Sequence, residues 1–206
     1  MAETAPFGRG RLRRLLGLDR SGPPPRQTRK GEPLNPWTLP NLVGFVRLAA
    51  IPLFLYLGFD SGDGRSVAAA TVFWLIAAGD YLDGFLARAT GQYSRLGSIL
   101  DPLVDRLTIL AGAVVCWHFE LLPRWALALL VAREVAMLAL GQYALRHGVE
   151  IRVNWPGRIS VFPIMGGIFF AMVFDGWVPA ALLIVGLGLA IVATVLYGRE
   201  GIREVQ

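Results

Sequence analysis

Apolar residues run along this chain in long, nearly unbroken blocks separated by short polar punctuation. This is neither the strict alternation of a half-buried strand nor the narrow stripe of a surface helix. Six blocks, at about residues 41–59, 66–89, 97–117, 122–145, 158–174 and 177–198, each approach the length a helix needs to cross a bilayer. The turns between them carry glycine, proline or charge, as in Ser61-Gly62-Asp63-Gly64 and Asp175-Gly176-Trp177. The pattern predicts an all-α integral membrane protein of six transmembrane helices, with residues 33–206 as one membrane domain. That domain opens on a short juxtamembrane segment, Pro33-Leu-Asn-Pro-Trp37-Thr-Leu-Pro40, whose prolines keep any helix brief and whose Trp37 suits headgroup depth. Residues 1–32 differ in kind, being rich in arginine, interrupted by Pro23-Pro24-Pro25 and poor in apolar residues beyond Leu15 and Leu16. They predict a basic, disordered cytosolic tail able to meet anionic lipid, and no apolar stretch follows the arginines to make a cleavable signal.

Composition agrees: 54% of residues are hydrophobic and the mean hydropathy is positive, above the usual range of a soluble domain. The placement of positive charge sets the orientation. With both termini in the cytosol, the cytosolic segments collect the arginines of the tail together with Lys30, Arg88, Arg95, Arg146, Arg152, Arg158, Arg199 and Arg203. The opposite loops hold only Arg65 and Arg124, as the positive-inside rule requires. A net charge of +5 therefore reflects topology and lipid contact, and with no aromatic-basic reading surface it excludes nucleic acid as a partner. Cys116 is the sole cysteine, which excludes an intramolecular disulfide and reads as packing. His118 and His147 are expected at opposite membrane faces, so they do not share a metal. Gly186, Gly188 and the Gly167-x3-Ala171 pair permit close helix contact.

Carboxylates then break the apolar pattern where they are most costly. Asp80-Tyr-Leu-Asp83-Gly84, Ala87-Arg88, Gly97, Asp101 and Asp105 place four acids within or beside membrane-length blocks, with only Arg88 and Arg106 near them in sequence. Asp80, Asp83 and Ala87 fall at i, i+3, i+7, and Gly97, Asp101 and Asp105 at i, i+4, i+8, so each set lies along one helix face. Two antiparallel helices joined by a turn at residues 91–95 would aim all four acids at one point on the cytosolic side. Four oxygen donors without cysteine or histidine suit a hard divalent cation, Mg²⁺ or Mn²⁺, held by Asp80, Asp83 and Asp101, with Asp105 shared between coordination and proton removal. One or two such ions would neutralise a pyrophosphate under attack. Gly84, Ala87 and Gly97 leave room for a nucleotide against the backbone, and Arg88 can fork onto its phosphates; close helix packing is the structural alternative for the small residues. Ser94 and Gln92 are further residues within reach of a base or ribose.

At these positions the chain resembles the CDP-alcohol phosphotransferase family, whose signature D-x2-D-G-x2-A-R-x8-G-x3-D-x3-D is filled at every fixed position. The resemblance covers about Asn35 to Gly198. It implies transfer of a phosphatidyl group from CDP-diacylglycerol to an alcohol with release of CMP, in bacterial glycerophospholipid synthesis at the cell membrane. It implies donor binding by Asp80, Asp83, Gly84, Ala87, Arg88 and Gly97, Asp105 as the catalytic base, and a homodimer.

The acceptor is read from outside the signature. Asn35-Pro-Trp-Thr-Leu-Pro40-Asn41, Arg47 and Arg133-Glu134 look like the family's phosphatidylglycerophosphate synthase and cardiolipin synthase branches, whose acceptors are anionic and glycerol-based. Arg133, Arg158 and Arg152 are the candidate acceptor-binding residues, against pairing with Glu134 for the first and ordinary positive-inside placement for the others. Where typical phosphatidylglycerophosphate synthases carry R-E and G-K-x-K-T, this chain has Gly141-Gln142 and Gly157-Arg158-Ile-Ser160-Val161. Two basic positions useful to a glycerol 3-phosphate dianion are absent, which favours phosphatidylglycerol as acceptor and cardiolipin as product over the alternative, glycerol 3-phosphate. A reading from another class, an ion or proton transporter lined by intramembrane aspartates, explains the acids but not Gly84, Ala87, Arg88 and Gly97 at fixed intervals.

Overall fold

The computed structural model describes the backbone of residues 26–28, 33–147 and 155–205. Most of the basic tail and Arg152 lie outside these residues, as do the side chains of Arg158 and His147. A 3-10 turn at Arg26–Thr28 precedes six helices: α1 Leu39–Asp60, α2 Val67–Thr90, α3 Arg95–His118, α4 Arg124–His147, α5 Trp155–Ala171 and α6 Trp177–Val205. Among the described residues there is no strand. Each helix coincides with one of the six apolar blocks to within a few residues at most ends, while α6 continues beyond its block to Val205.

Three of these helices are long and apolar enough to cross a membrane: α1, α2 and the Trp177–Leu196 part of α6. α3 is as long as α2 but carries Asp101, Asp105 and Arg106 in its body, and α4 carries Arg133 and Glu134. Large apolar side chains stand exposed along α1, α2 and α6, among them Val46, Leu53, Tyr56, Trp74, Leu75, Val185 and Val195. Such a surface is unsuited to water and suited to lipid, so the chain is a membrane protein.

The chain divides into two compact units, Met1–Ile51 with Trp74–Thr108, and Pro52–Phe73 with Ile109–Gln206. The first contains the start of α1, the end of α2 and the start of α3. Here the side chains that terminate one helix also tie down another. Gln92 Oε1 accepts from Leu39 N at 3.0 Å, satisfying one of the orphan donors at the start of α1. Ser94 Oγ accepts from Gly97 N at 2.9 Å, the N-cap geometry for α3, and donates to Asn41 Oδ1 at 2.8 Å. Asn41 Nδ2 donates onward to the carbonyls of Asn35 and Pro36 at 3.0 and 3.1 Å. Residues 33–37 are irregular, as their prolines predict, and this buried asparagine fixes them. Between α2 and α3, Gly91 supplies the left-handed φ of 68° that the turn needs.

The second unit is built on close helix contact. A Cβ on Gly167 would stand 2.8 Å from Pro179 O and 2.9 Å from Leu183 N, and one on Gly186 would stand 2.8 Å from Ile164 N, so these glycines seat α5 against α6. Gly112 makes the same allowance for Ile168 and Phe73, and Phe54 and Phe73 stack tilted at 5.3 Å. Gly188 faces open space instead. Cys116 is fully buried in this unit and packs as expected.

Candidate active site

The helix ends of the first unit gather the acids of the signature. Asp80 and Asp83 lie near the end of α2, and Asp101 and Asp105 in the first turns of α3. Asp101 interacts electrostatically with Asp80, Asp83 and Asp105, and Asp80 with Asp83 and Asp105. Acids from two helices therefore lie within electrostatic reach of one another. Their environments differ, for the Asp83 side chain is 3% exposed and that of Asp80 is 52% exposed, with Asp105 at 36% between them.

One expectation is corrected here. The acids are not left to Arg88 and Arg106, because Arg47 reaches them from α1. Its Nη1 donates to Asp83 Oδ2 at 2.8 Å and stands 3.7 Å from Asp80 Oδ1, while its Nη2 donates to Asp105 Oδ1 at 2.5 Å. Its Nε donates to the carbonyl of Ile76 at 2.9 Å, so three of its nitrogens are engaged and the residue is 3% exposed. The stem of this arginine runs over Gly79, where a Cβ would come within 2.7 Å of Cδ and 2.8 Å of Cγ. Arg47 and Gly79 are the site residues that motif reasoning missed. A lone arginine in the middle of an apolar block was the available signal, since it demands a buried counter-charge.

The small residues of the signature have definite neighbours. A Cβ on Gly97 would fall 2.8 Å from Asn41 Oδ1 and 3.1 Å from Ser94 Oγ, so the space over Gly97 is filled by the asparagine network. One on Gly84 would fall 3.1 Å from Arg88 Nη1, which places the Arg88 guanidinium over the glycine. Gly44 is close-packed in the same way, against Leu100, with Asp101 Oδ1 3.9 Å from its Cβ position. Ser94 and Gln92, expected within reach of a nucleotide, spend the hydrogen bonds described above on capping. Nearby, Asn35, Pro36, Trp37, Thr38, Gly91, Gln92 and Tyr93 line a cavity of about 290 Å³ that includes none of the aspartates.

Oxygen-only donors fit a hard divalent cation in kind. Arg47 takes Oδ2 of Asp83 and Oδ1 of Asp105. Among the described residues, no three acids, histidines or cysteines stand close enough to enclose one ion without side-chain movement.

In the second unit Arg133 pairs with the buried Glu134 carboxylate and its Nε stands 3.4 Å from Thr194 Oγ1 on α6. The partner expected for it as an alternative to an acceptor is therefore present. Arg158 lies in the first turn of α5, and Arg152 falls outside the described residues.

Comparison with known proteins gives a consistent set. The CDP-alcohol phosphatidyltransferase family model matches residues 37–195. A cardiolipin synthase (CMP-forming) of Streptomyces coelicolor is 37% identical over 174 residues, covering 80% of each chain. A probable phosphatidylglycerophosphate synthase of Mycobacterium tuberculosis is 32% identical over 165 residues, 78% of each chain. The CDP-diacylglycerol–glycerol-3-phosphate 3-phosphatidyltransferase of Bacillus subtilis is 28% identical over 138 residues, 61% of this chain and 72% of its own.

Proposed function

The chain belongs to the CDP-alcohol phosphatidyltransferase family, and on that premise we propose that it transfers the phosphatidyl group of CDP-diacylglycerol to phosphatidylglycerol, giving cardiolipin and CMP. The observation that carries the reaction class is the convergence of Asp80, Asp83, Asp101 and Asp105 at the facing ends of α2 and α3, behind a family match that spans most of the chain.

The chemistry follows from those side chains. The acceptor hydroxyl oxygen attacks the phosphorus that bears the diacylglycerol, the bridging P–O bond of the pyrophosphate breaks, and CMP leaves with that electron pair. Asp105 accepts the hydroxyl proton through the carboxylate oxygen that Arg47 does not hold. Asp80, Asp83 and Asp101, with Asp105, would hold one or two Mg²⁺ or Mn²⁺ ions, which supply charge neutralisation on the pyrophosphate oxygens. Arg88, whose guanidinium lies over Gly84, is assigned to a donor phosphate with Ala87 beside it, and Gly97 serves the donor side by seating the Asn41–Ser94 network at the start of α3.

For the acceptor, two features favour phosphatidylglycerol. The chain lacks the basic residues at Gly141-Gln142 and at Ser160 that a dianionic glycerol 3-phosphate would use, and a phosphodiester carries one charge fewer. A cardiolipin synthase is also among its relatives. Arg133, Arg158 and Arg152 are assigned to the acceptor headgroup. The relatives named for glycerol 3-phosphate keep that acceptor as the second reading. All six helices cross the cell membrane, with both termini and the aspartates on the cytosolic side. The test is purified protein with CDP-diacylglycerol and Mg²⁺ or Mn²⁺, offered phosphatidylglycerol and glycerol 3-phosphate separately. Cardiolipin is expected from the first; efficient phosphatidylglycerophosphate formation without cardiolipin would reverse the choice of acceptor.

A further inference from the structure

A guanidinium set among carboxylates that are meant to hold a divalent cation either leaves when the cation arrives or stays as part of the site. The surroundings of Arg47 decide between these. Its Nε is tied to the backbone carbonyl of Ile76 at 2.9 Å, its methylenes lie in a notch that exists because residue 79 has no side chain, and the residue is 3% exposed. Withdrawal would cost the Ile76 bond and the two carboxylate bonds at once, and an arginine has no neutral form to retreat into. The two forks also go to different helices, Asp83 on α2 and Asp105 on α3, so the group sets the distance between them as well as their charge.

Resting on the proposed divalent-cation phosphatidyltransferase reading, we propose that Arg47 is a positioning residue and a fixed internal cation. It locks one oxygen each of Asp83 and Asp105, thereby aims the remaining oxygen of Asp105 at the acceptor hydroxyl, and offsets one of the four negative charges so that the divalent cation is held without being trapped. Gly79 is the second half of the device, because any side chain there displaces the arginine stem. The arginine touches neither the reacting atoms nor the metal; it acts through the two carboxylates.

The two effects have opposite signs, which separates them from simple damage. Loss of the fork loosens Asp105 and lowers turnover. Loss of the charge leaves the acids more negative and tightens the divalent cation, because a unit charge a few ångströms away in a partly desolvated site changes an ion's affinity several-fold or more. A protein that is merely misfolded loses both.

The experiment uses the full chain in nanodiscs, with Mn²⁺ binding followed by electron paramagnetic resonance in the absence of substrates, and turnover measured separately. For Arg47→Gln, Mn²⁺ is expected to bind at least about fivefold tighter while kcat falls by about tenfold or more. Arg47→Lys keeps the charge without the fork, so Mn²⁺ affinity should stay within about twofold of wild type while kcat still falls. Gly79→Ala should resemble Arg47→Lys, the charge remaining nearby and the fork being displaced. If Arg47→Gln does not fold, Arg47→Lys and Gly79→Ala carry the test by the split between unchanged Mn²⁺ binding and reduced kcat. Wild-type turnover in Arg47→Lys, or Mn²⁺ binding weakened in Arg47→Gln, would overturn the proposal. Asp80→Asn is the control on the underlying reading: if it leaves Mn²⁺ affinity unchanged, the carboxylate-metal assignment fails, whatever Arg47 does.

Discussion

Asp83 and Asp105 accept from the same guanidinium, yet one side chain is 3% exposed and the other 36%. The buried one is a fixed point, and the more open one can meet a substrate. That difference is the residue-scale reason for assigning proton removal to Asp105. Replacing it by Asn keeps the volume and an oxygen able to accept from Arg47 while removing the base. Turnover is expected to fall on the order of 10²-fold or more with the CDP-diacylglycerol requirement little changed; turnover near wild type in a steady-state assay refutes the assignment. Arg158 invites a different measurement. If it contributes a charge-assisted hydrogen bond to the acceptor, Arg158→Gln should raise the half-saturating phosphatidylglycerol concentration roughly ten- to a hundredfold, equivalent to about 1.5–3 kcal/mol. The requirement for CDP-diacylglycerol should not move, and a parallel rise in both would point to loss of fold instead.

At the scale of elements, the start of α1 and the start of α3 are held by a small polar lattice in which Asn41 is the hub, joined to Ser94, to Asn35 and to Pro36. Two glycines of the signature test what that lattice is worth. Gly97→Ala drives a methyl to 2.8 Å from Asn41 Oδ1 and 3.1 Å from Ser94 Oγ, both committed to hydrogen bonds, so a loss of about 1–3 kcal/mol is expected as a lower thermal midpoint in detergent. Gly84→Ala meets the far end of the Arg88 side chain, which can shift, so its thermal midpoint should stay near wild type while the donor requirement rises. Equal destabilisation by the two would remove the distinction. The helices themselves were legible, because a membrane block needs only length and apolarity and the turn glycines end it. The aspartate pairs were legible because fixed i+3 and i+4 spacing translates directly into a helix face. Arg47 was not, since its partners are 36 and 58 residues away and no local period links them. Nor were Gln92 and Ser94 as caps, whose hydrogen bonds depend on where α1 starts, a matter of tertiary placement.

The whole molecule is constrained by charge as much as by apolar length. Arg88 and Arg95 bracket the turn between α2 and α3, while Arg65 just precedes α2 and Arg124 opens α4, with Arg65 paired to Asp175 at 3.1 Å. The proposed topology of six crossings with cytosolic termini would put the α2–α3 turn and its aspartates inside, where a water-soluble CMP can leave, and Asp63 and Asp175 outside. In the proposed topology α3 crosses despite Asp101, Asp105 and Arg106, since all three lie in its N-terminal half and Asp105 is matched by Arg47. Single cysteines at Ser21, Asp63, Thr90 and Asp175, each in a Cys116→Ser background, give the test in intact cells. A membrane-impermeant thiol reagent should modify the cysteines at 63 and 175 and spare those at 21 and 90 until the membrane is opened. Labelling of the Thr90→Cys protein from outside would place the aspartates on the wrong side for cytosolic chemistry. Labelling at 63 but not 175 would mean that one of α3 to α5 does not cross.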